Sequence, residues 1–457
     1  MSNTVVTADA APSLEAGRVE DEHGPWPRPA YAWYVVVVLL VAYGFAILDR
    51  TAIGLLVDPI RKDLRITDSQ IGLLQGLAFA LCYTTFGIPV GFAIDRWKRI
   101  PVLGIGVAVW SAATIACGAA RSFGTLFLAR VGVGVGEAAV TPGSGSIIAD
   151  YFPPERRGRA YGVWMLGSSL GTGMASGFTA LAILAADWLH AKDVAWAAPL
   201  KTWQITFFLI GAPGLLIGLL FMLTVREPTR RGARIEQTGI SLKPLLQVLS
   251  ANRGAYFALI GGAVLNVTCI YASLGWMPSL FMRVHHWSPA KVGGVFAAIG
   301  LPIGMSGAVI AGWTMSWLTS RGRKDAPILM TMGHSLMTLC IGTAAVLAPR
   351  PEITLVLNAL TSITSTWSYA AAMTGLNQIT PNEIRGQIAA LYTLFTGLIS
   401  MTVGSYLVGF LNDTTFHGPT GVQPSLATVY AGCAGLALIV LLLGRGAYQQ
   451  AEARSRA

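Results

Sequence analysis

Charge is scarce in this chain. Only 12% of its 457 residues are Asp, Glu, Lys or Arg, against roughly 25% in an ordinary soluble domain. Acids are scarcer than bases, 22 against 32, which leaves a formal charge of +10. An excess of that size does not make a nucleic-acid binder here, because the Lys and Arg residues stand in short groups between long apolar runs, where they set membrane orientation. Cysteine is sparse as well. Cys82, Cys117, Cys269, Cys340 and Cys433 each stand alone inside an apolar run, which supports neither a disulfide framework nor a zinc site. His285-His286 and the lone His334 lack the further ligands a metal needs. The phosphate-binding loop G-x-x-x-x-G-K-[ST] is absent, so no ATP-driven motor and no cofactor is expected. Residues 1–30 have neither the basic start nor the apolar core of a signal peptide.

What the chain has in quantity is apolar sequence: 53% hydrophobic residues and a mean hydropathy of +0.58. The apolar runs predict spans at 33–57, 69–94, 101–120, 123–149, 160–186 and 204–225, then at 255–281, 291–318, 327–348, 353–377, 386–411 and 426–444. Each is long enough to cross a hydrocarbon core of about 30 Å. Small pairs such as Gly167/Gly171 and Gly173/Gly177 let helices approach closely in lipid. With the N-terminus in the cytoplasm, 21 of the 32 Lys and Arg residues fall on the cytoplasmic side, the bias that places both termini inside.

An internal repeat divides the chain. Pro153-Pro154-Glu155-Arg156-Arg157-Gly158 precedes the fifth span, and Pro381-Asn382-Glu383-Ile384-Arg385-Gly386 precedes the eleventh, 228 residues later. Both read P-x-E-x-R-G. The expected organisation is a tail at 1–32, a six-helix bundle at 33–225, a linker at 226–253, a second bundle at 254–444 and a tail at 445–457. That is an all-α integral membrane fold of twelve transmembrane helices in two pseudo-symmetric six-helix bundles. Parallel repeats of this kind build transporters whose halves rock about a central site.

Particular residues carry a family resemblance. Gly91-Phe92-Ala93-Ile94-Asp95-Arg96-Trp97-Lys98-Arg99 resembles the major facilitator superfamily signature G-x-x-x-D-R-x-G-R, with Lys98 in place of the second glycine. Gly312 and Arg321-Gly322-Arg323-Lys324-Asp325 echo it in the second half, and Arg130 to Glu137 is similar to that superfamily's R-x-x-x-G-x-G-E pattern. Asp49-Arg50, the Glu137 context and Val225-Arg226-Glu227-Pro228 together resemble the spinster branch, associated with lysolipids and sphingosine-1-phosphate. The antiporter pattern G-P-x-x-G is missing from the fifth span, unlike typical drug/proton antiporters. The resemblance implies a gating and structural role for Asp95, Arg96 and Arg99.

Four ionisable residues lie well inside the spans: Asp49, Arg50, Arg130 and Glu137. Each costs at least ~2.5 kcal/mol at mid-bilayer, so such residues face a cavity or a partner. Arg50 suits an anionic head group, since its planar fork matches phosphate or carboxylate. Asp49 and Glu137 are the candidates for proton exchange, competing for Arg50. Arg130 braces a helix, and Arg157 and Arg385 join the structural set through the repeat. Polar and aromatic groups in the second half, namely Asn266, Thr268, Tyr271, Trp367 and Tyr369, supply candidate substrate contacts with Arg50 and Glu137. Ordinary interhelical bonding is the alternative for each.

Two apparent catalytic patterns fail on context. Gly167-Ser168-Ser169-Leu170-Gly171 matches G-x-S-x-G, and Gly132-Val133-Gly134-Val135-Gly136 resembles a nucleotide loop, but both fall inside predicted spans. The expectation is therefore not an enzyme but a monomeric, proton-coupled secondary transporter of an amphiphilic or anionic substrate in a bacterial inner membrane. Its partners are membrane lipid and protons, with no nucleic acid. Rival readings are a carrier of small organic anions, a membrane-embedded lipid enzyme and a passive scramblase.

Overall fold

A computed structural model describes residues 25–231 and 242–456, almost all of them helical. The first half holds span 1 (Pro29–Leu64), span 2 (Asp68–Arg96), span 3 (Arg99–Gly118), span 4 (Phe123–Tyr151), span 5 (Pro154–Ala191) and span 6 (Thr202–Thr224). The second half holds span 7 (Arg253–Arg283), span 8 (Pro289–Ser320), span 9 (Ala326–Leu347), span 10 (Pro351–Ile379), span 11 (Asn382–Phe416) and span 12 (Pro419–Ser455). Eleven of these are long and apolar enough to cross a membrane. Span 10 has the length, at 29 residues, but is diluted by hydroxyls along its middle.

Packing repeats between the halves. Spans 1 and 5, 2 and 4, and 3 and 6 pair in the first half. Their counterparts six spans later, 7 and 11, 8 and 10, and 9 and 12, pair in the second. The sequence repeat has one structural job in both places. Arg157 Nε donates to the Phe152 carbonyl at 2.9 Å, and Arg385 Nη2 donates to the Thr380 carbonyl at 3.3 Å. Each arginine reaches five residues back and satisfies a carbonyl just past the end of the preceding helix, which that helix leaves open.

Span 4 is broken by a turn at Ala138-Ala139, between Phe123–Glu137 and Val140–Tyr151. Pro142 explains the position, because it has no N–H to offer the carbonyl four residues earlier. Glu137 therefore ends a helical segment at mid-span. The small pairs are close contacts: Cβ atoms on Gly167 and Gly171 would meet the Leu40 and Gly44 carbonyls at 2.6 and 2.8 Å, and one on Gly173 would meet Leu301. The match to G-x-S-x-G is thus a packing stripe on one continuous helix.

Two boundaries differ from expectation. The tail expected at 445–457 is helical as far as Arg456, the last described residue, and is docked by Tyr448 Oη donating to Gln378 at 2.7 Å. The linker has two described parts. Its first residues are clasped to the first bundle, and Leu242–Ala251 forms a helix whose Leu245, Val248 and Leu249 pack on the second bundle; residues 232–241 lie outside the described set.

Asp325, before span 9, holds the second bundle's charged corner. Its carboxylate accepts from Arg445 Nε at 2.7 Å, Gln449 Nε2 at 3.0 Å and Arg323 Nε at 3.1 Å. Burial opposes the charge, but the bonds from Arg445 and Arg323 hold this carboxyl below the usual range. Stability from this site is therefore present above about pH 4 and lost as pH falls through the depressed value. Asp325→Asn is expected to lower the apparent melting temperature at pH 7, a loss of about 1 kcal/mol given the exposed arginines. The gap to wild type should close in melts run below about pH 4.

Candidate functional site

The intramembrane charges meet where spans 1, 2, 3 and 4 converge. Arg50 Nε bonds Glu137 Oε2 at 2.6 Å. Its guanidinium carbon lies 4.5 Å from the ring centre of Phe79 and 4.8 Å from that of Tyr83. Phe79 and Tyr83 are one turn apart on span 2 and their rings stack, so the cation has two π faces and a carboxylate to replace water. Asp49 does not touch Arg50. Consecutive helical residues point about 100° apart, and Asp49 faces span 3, where Thr114 Oγ1 donates to its Oδ2 at 2.9 Å. Only Glu137 holds the arginine, so the two acids do not compete for it in this state.

Arg130 braces this corner through backbone. Its Nη1 donates to the Asp49 carbonyl at 3.1 Å and its Nε to the Leu74 carbonyl at 3.5 Å. Arg130, Glu137 and Asp49 are buried, and one polar atom of each, Nη2, Oε1 and Oδ1, has no hydrogen-bond partner. Buried polar atoms without partners cost about 1–3 kcal/mol each. The cluster is thus under-satisfied where proton exchange is chemically possible.

A cavity of about 320 Å³ opens beside Arg50, between the two halves. Arg50, Gln75, Tyr271, Ser365, Tyr369 and Ser405 give it polar groups, and Ile47, Ile270 and Leu274 give it apolar wall. Of the expected substrate contacts, Arg50, Tyr271 and Tyr369 line it. Glu137 stands behind Arg50 and not on the wall. Asn266 is five residues from Tyr271, so it points about 140° away; it bonds the Thr331 carbonyl, Ser368 and Ser335 and ties spans 7, 9 and 10 together. The Thr268 side chain bonds back to the Val264 carbonyl of its own helix, and its backbone carbonyl lies against Gly404 of span 11. Trp367 packs against Gly333 on span 9.

The face away from the termini is shut by charges that read in sequence only as topology signals. Arg283 on span 7 bonds Asp58 at 2.8 Å and Asp68 through both terminal nitrogens at 2.7 and 2.9 Å. Arg61 adds a contact to Asp68 at 3.2 Å, and Asn412 donates to the same carboxylate. Asp413 of span 11 caps span 2, accepting from Ser69 N at 2.7 Å and Asp68 N at 3.2 Å. Nothing in the spacing of these residues announces that they meet.

On the termini face the halves have parted. Spans 5 and 8 touch where Gly173 meets Leu301 and Gly177 meets Ala297, whereas Gly162, Gly304 and Gly312 nearer the termini face open space. Spans 2 and 11 do the same, in contact at Gly72 and Gly76 and open at Gly87, Gly91 and Gly397. On the termini face itself Asp95 and Arg96 are exposed, whereas Arg99 is buried. Arg99 Nε bonds Glu227 at 2.8 Å, its Nη2 bonds the Pro228 carbonyl at 2.7 Å, and its Nη1 bonds Asp150. Glu227 also accepts from Ile100 N at 2.9 Å, so the Arg226-Glu227-Pro228 segment is a clasp on the first bundle.

The molecule's relatives agree with this architecture. Residues 39–349 match the model of the Major Facilitator Superfamily. The chain is 26% identical to an MFS-type efflux pump of Mycolicibacterium smegmatis, over 97% of this chain and 98% of that one. It is also 26% identical to the sphingosine-1-phosphate transporter SPNS2 of Xenopus tropicalis, over 88% of this chain and 79% of that one. The crystal structure of a bacterial homolog of the human lysosomal transporter spinster, inward-facing and unoccupied, superposes with a TM-score of 0.76 at 25% identity, covering 94% of this chain and 98% of that one. Two repeated six-helix halves around a central cavity, with the family match across most of the chain, identify this protein as a member of the Major Facilitator Superfamily, a multi-pass membrane transporter with spinster-like relatives.

Proposed function

We propose that this protein is a proton-coupled carrier of an anionic amphiphile of the lysolipid or sphingosine-1-phosphate class, with the termini face in the cytoplasm of a bacterial cell. The observation that carries this reading is a cavity that sets one cation, Arg50, against an apolar wall of Ile47, Ile270 and Leu274. A substrate with an anionic head and an apolar tail matches both parts of that lining, whereas a small hydrated anion leaves the apolar wall unused. Arg50 receives the head group in exchange for Glu137, and the released carboxylate, deep in a dry site, takes up a proton. Asp49, hydrogen-bonded by Thr114 and away from Arg50, carries the second exchangeable proton.

The test is flux of a labelled lysophospholipid in proteoliposomes with and without a pH gradient. Asp49→Asn is expected to abolish gradient-driven accumulation while leaving exchange of labelled for unlabelled lipid intact. Accumulation equal to wild type in that variant sinks the assignment of Asp49. A small hydroxy-acid is the second reading, favoured by a hydroxyl-lined wall on spans 9 and 10. The chain is also 25% identical to a probable galactarate/D-glucarate transporter of Bacillus subtilis. Glucarate in excess should leave lysolipid flux unchanged on the first reading and block it on the second.

A further inference from the structure

A second cavity, of about 360 Å³, extends from the first into the second bundle. The two share Thr51, Thr172, Ile270, Leu274 and Ser365, so they meet along one seam. Its flanks are apolar, with Leu55, Met277, Phe296 and Ile299. Its inner wall is not. His334 and Thr338 of span 9, Asn358, Thr361 and Ser362 of span 10 and Tyr430 of span 12 line it. None of the six is a carboxylate, a lysine or an arginine.

Most of these groups are already engaged. His334 bonds Thr364 through Nδ1 at 2.9 Å and meets Thr338 through Nε2 at 3.5 Å. Thr361 bonds back to the Leu357 carbonyl, and Tyr430 bonds Ser273. Asn358 and Ser362 are different. They are one turn apart on the same face of span 10, half-buried, and both side chains line the cavity with no hydrogen bond among the described residues. A carboxamide and a hydroxyl at this spacing offer three donor hydrogens and two acceptor oxygens to one ligand group. Directly after Thr338, span 9 widens into a π-helical turn at Thr338–Gly342, a local loosening that tends to accompany binding sites.

We propose that this second cavity is a distal binding subsite for the transported molecule, taking a neutral hydrogen-bonding group, a hydroxyl or carbonyl, carried beyond an apolar segment and gripped by Asn358 and Ser362. The inference rests on the reading of an anionic amphiphile headed at Arg50. It narrows that class to amphiphiles with an oxygenated tail: the head at Arg50, an apolar stretch past Ile270 and Leu274, and a polar contact on span 10. A plain hydrocarbon tail leaves Asn358 and Ser362 facing methylene groups, losing whatever bonds water supplied them.

The experiment is equilibrium binding to the purified full-length protein of two probes, a stearoyl lysophosphatidate and its counterpart hydroxylated in the outer half of the chain. Wild type is expected to bind the hydroxylated probe about tenfold more tightly, the worth of one well-made neutral hydrogen bond. Asn358→Leu, branched at the same atom but without polar groups, should erase that preference and leave binding of the plain probe intact, which also reports folding. Ser362→Ala should reduce the preference in part. Equal affinity for both probes in wild type, or a preference that survives Asn358→Leu, overturns the subsite. Arg50-dependent binding of the plain probe in that case leaves the amphiphile reading standing. Failure of wild type to bind either probe overturns both.

Discussion

Arg50→Lys is expected to keep the protein folded yet cut transport by about 10- to 100-fold, the worth of one or two charge-assisted hydrogen bonds. The bond to Glu137 runs from Nε, and the guanidinium plane lies between Phe79 and Tyr83. A lysine keeps the charge, so Glu137 is not stranded, but its single ammonium offers an anionic head group no planar two-nitrogen fork. Arg50→Ala is harsher. It leaves a fully buried carboxylate without a cation, at about 3–5 kcal/mol, so lower yield and lower melting temperature are expected along with lost transport. Adding Glu137→Gln should restore the melting temperature and leave transport absent, because the buried charge goes but the anion site does not return. Initial rates in proteoliposomes and detergent melts separate the two effects. A wild-type rate in Arg50→Lys would make this pair a brace and not a binding site.

Arg283→Gln is expected to move the protein toward the state open on the far face. In the closed state Arg283 is nearly buried and satisfies Asp58 and Asp68 from the other half of the molecule. Once the halves separate there, water replaces those contacts, so the variant weakens one state and spares the other. Breaking a buried pair costs about 3–5 kcal/mol, and Arg61 and Asn412, which remain on Asp68, hold the loss near the lower figure, about 10²-fold in the ratio of states. Spin labels at Lys62 and Thr414, exposed on opposite halves, should report a longer distance population that wild type lacks. Asp68→Asn should act in the same direction, and the double variant should fall well short of the sum, since both changes remove one interaction. An unchanged distance distribution in Arg283→Gln places closure in the helix packing alone. That packing includes Gly409 of span 11, which lies so close to the Asp68 carbonyl that no side chain fits between.

The residues legible beforehand were those that broke a rule of their surroundings. Asp49, Arg50, Arg130 and Glu137 stood out because charge inside a span is costly, and the structure gathers all four into one corner. The residues that sequence reasoning missed obey the rules of theirs. Phe79 and Tyr83 look like ordinary apolar facing, yet they enclose Arg50. Arg283, Asp58 and Asp68 sit at span ends, where charge is normal, so nothing marked them as partners across the two halves. Asn266, Thr268 and Trp367 were plausible wall residues only because their type suits a cavity; helix rotation turned Asn266 and Trp367 toward neighbouring helices, and Thr268 bonds back to its own.

The amino-acid sequence by itself determined the twelve spans, the two halves and the family. In lipid each crossing segment must satisfy its own backbone hydrogen bonds, so length and hydropathy suffice to mark a helix, and the repeated P-x-E-x-R-G motif marks the same helix end twice. Tertiary structure alone decided which face of each helix meets the cavity, which charges pair across the halves and where helices of the two halves touch. Those outcomes depend on helix rotation and close approach, a matter of one glycine or one turn, and a pattern of apolar residues uniform around a membrane helix does not encode them.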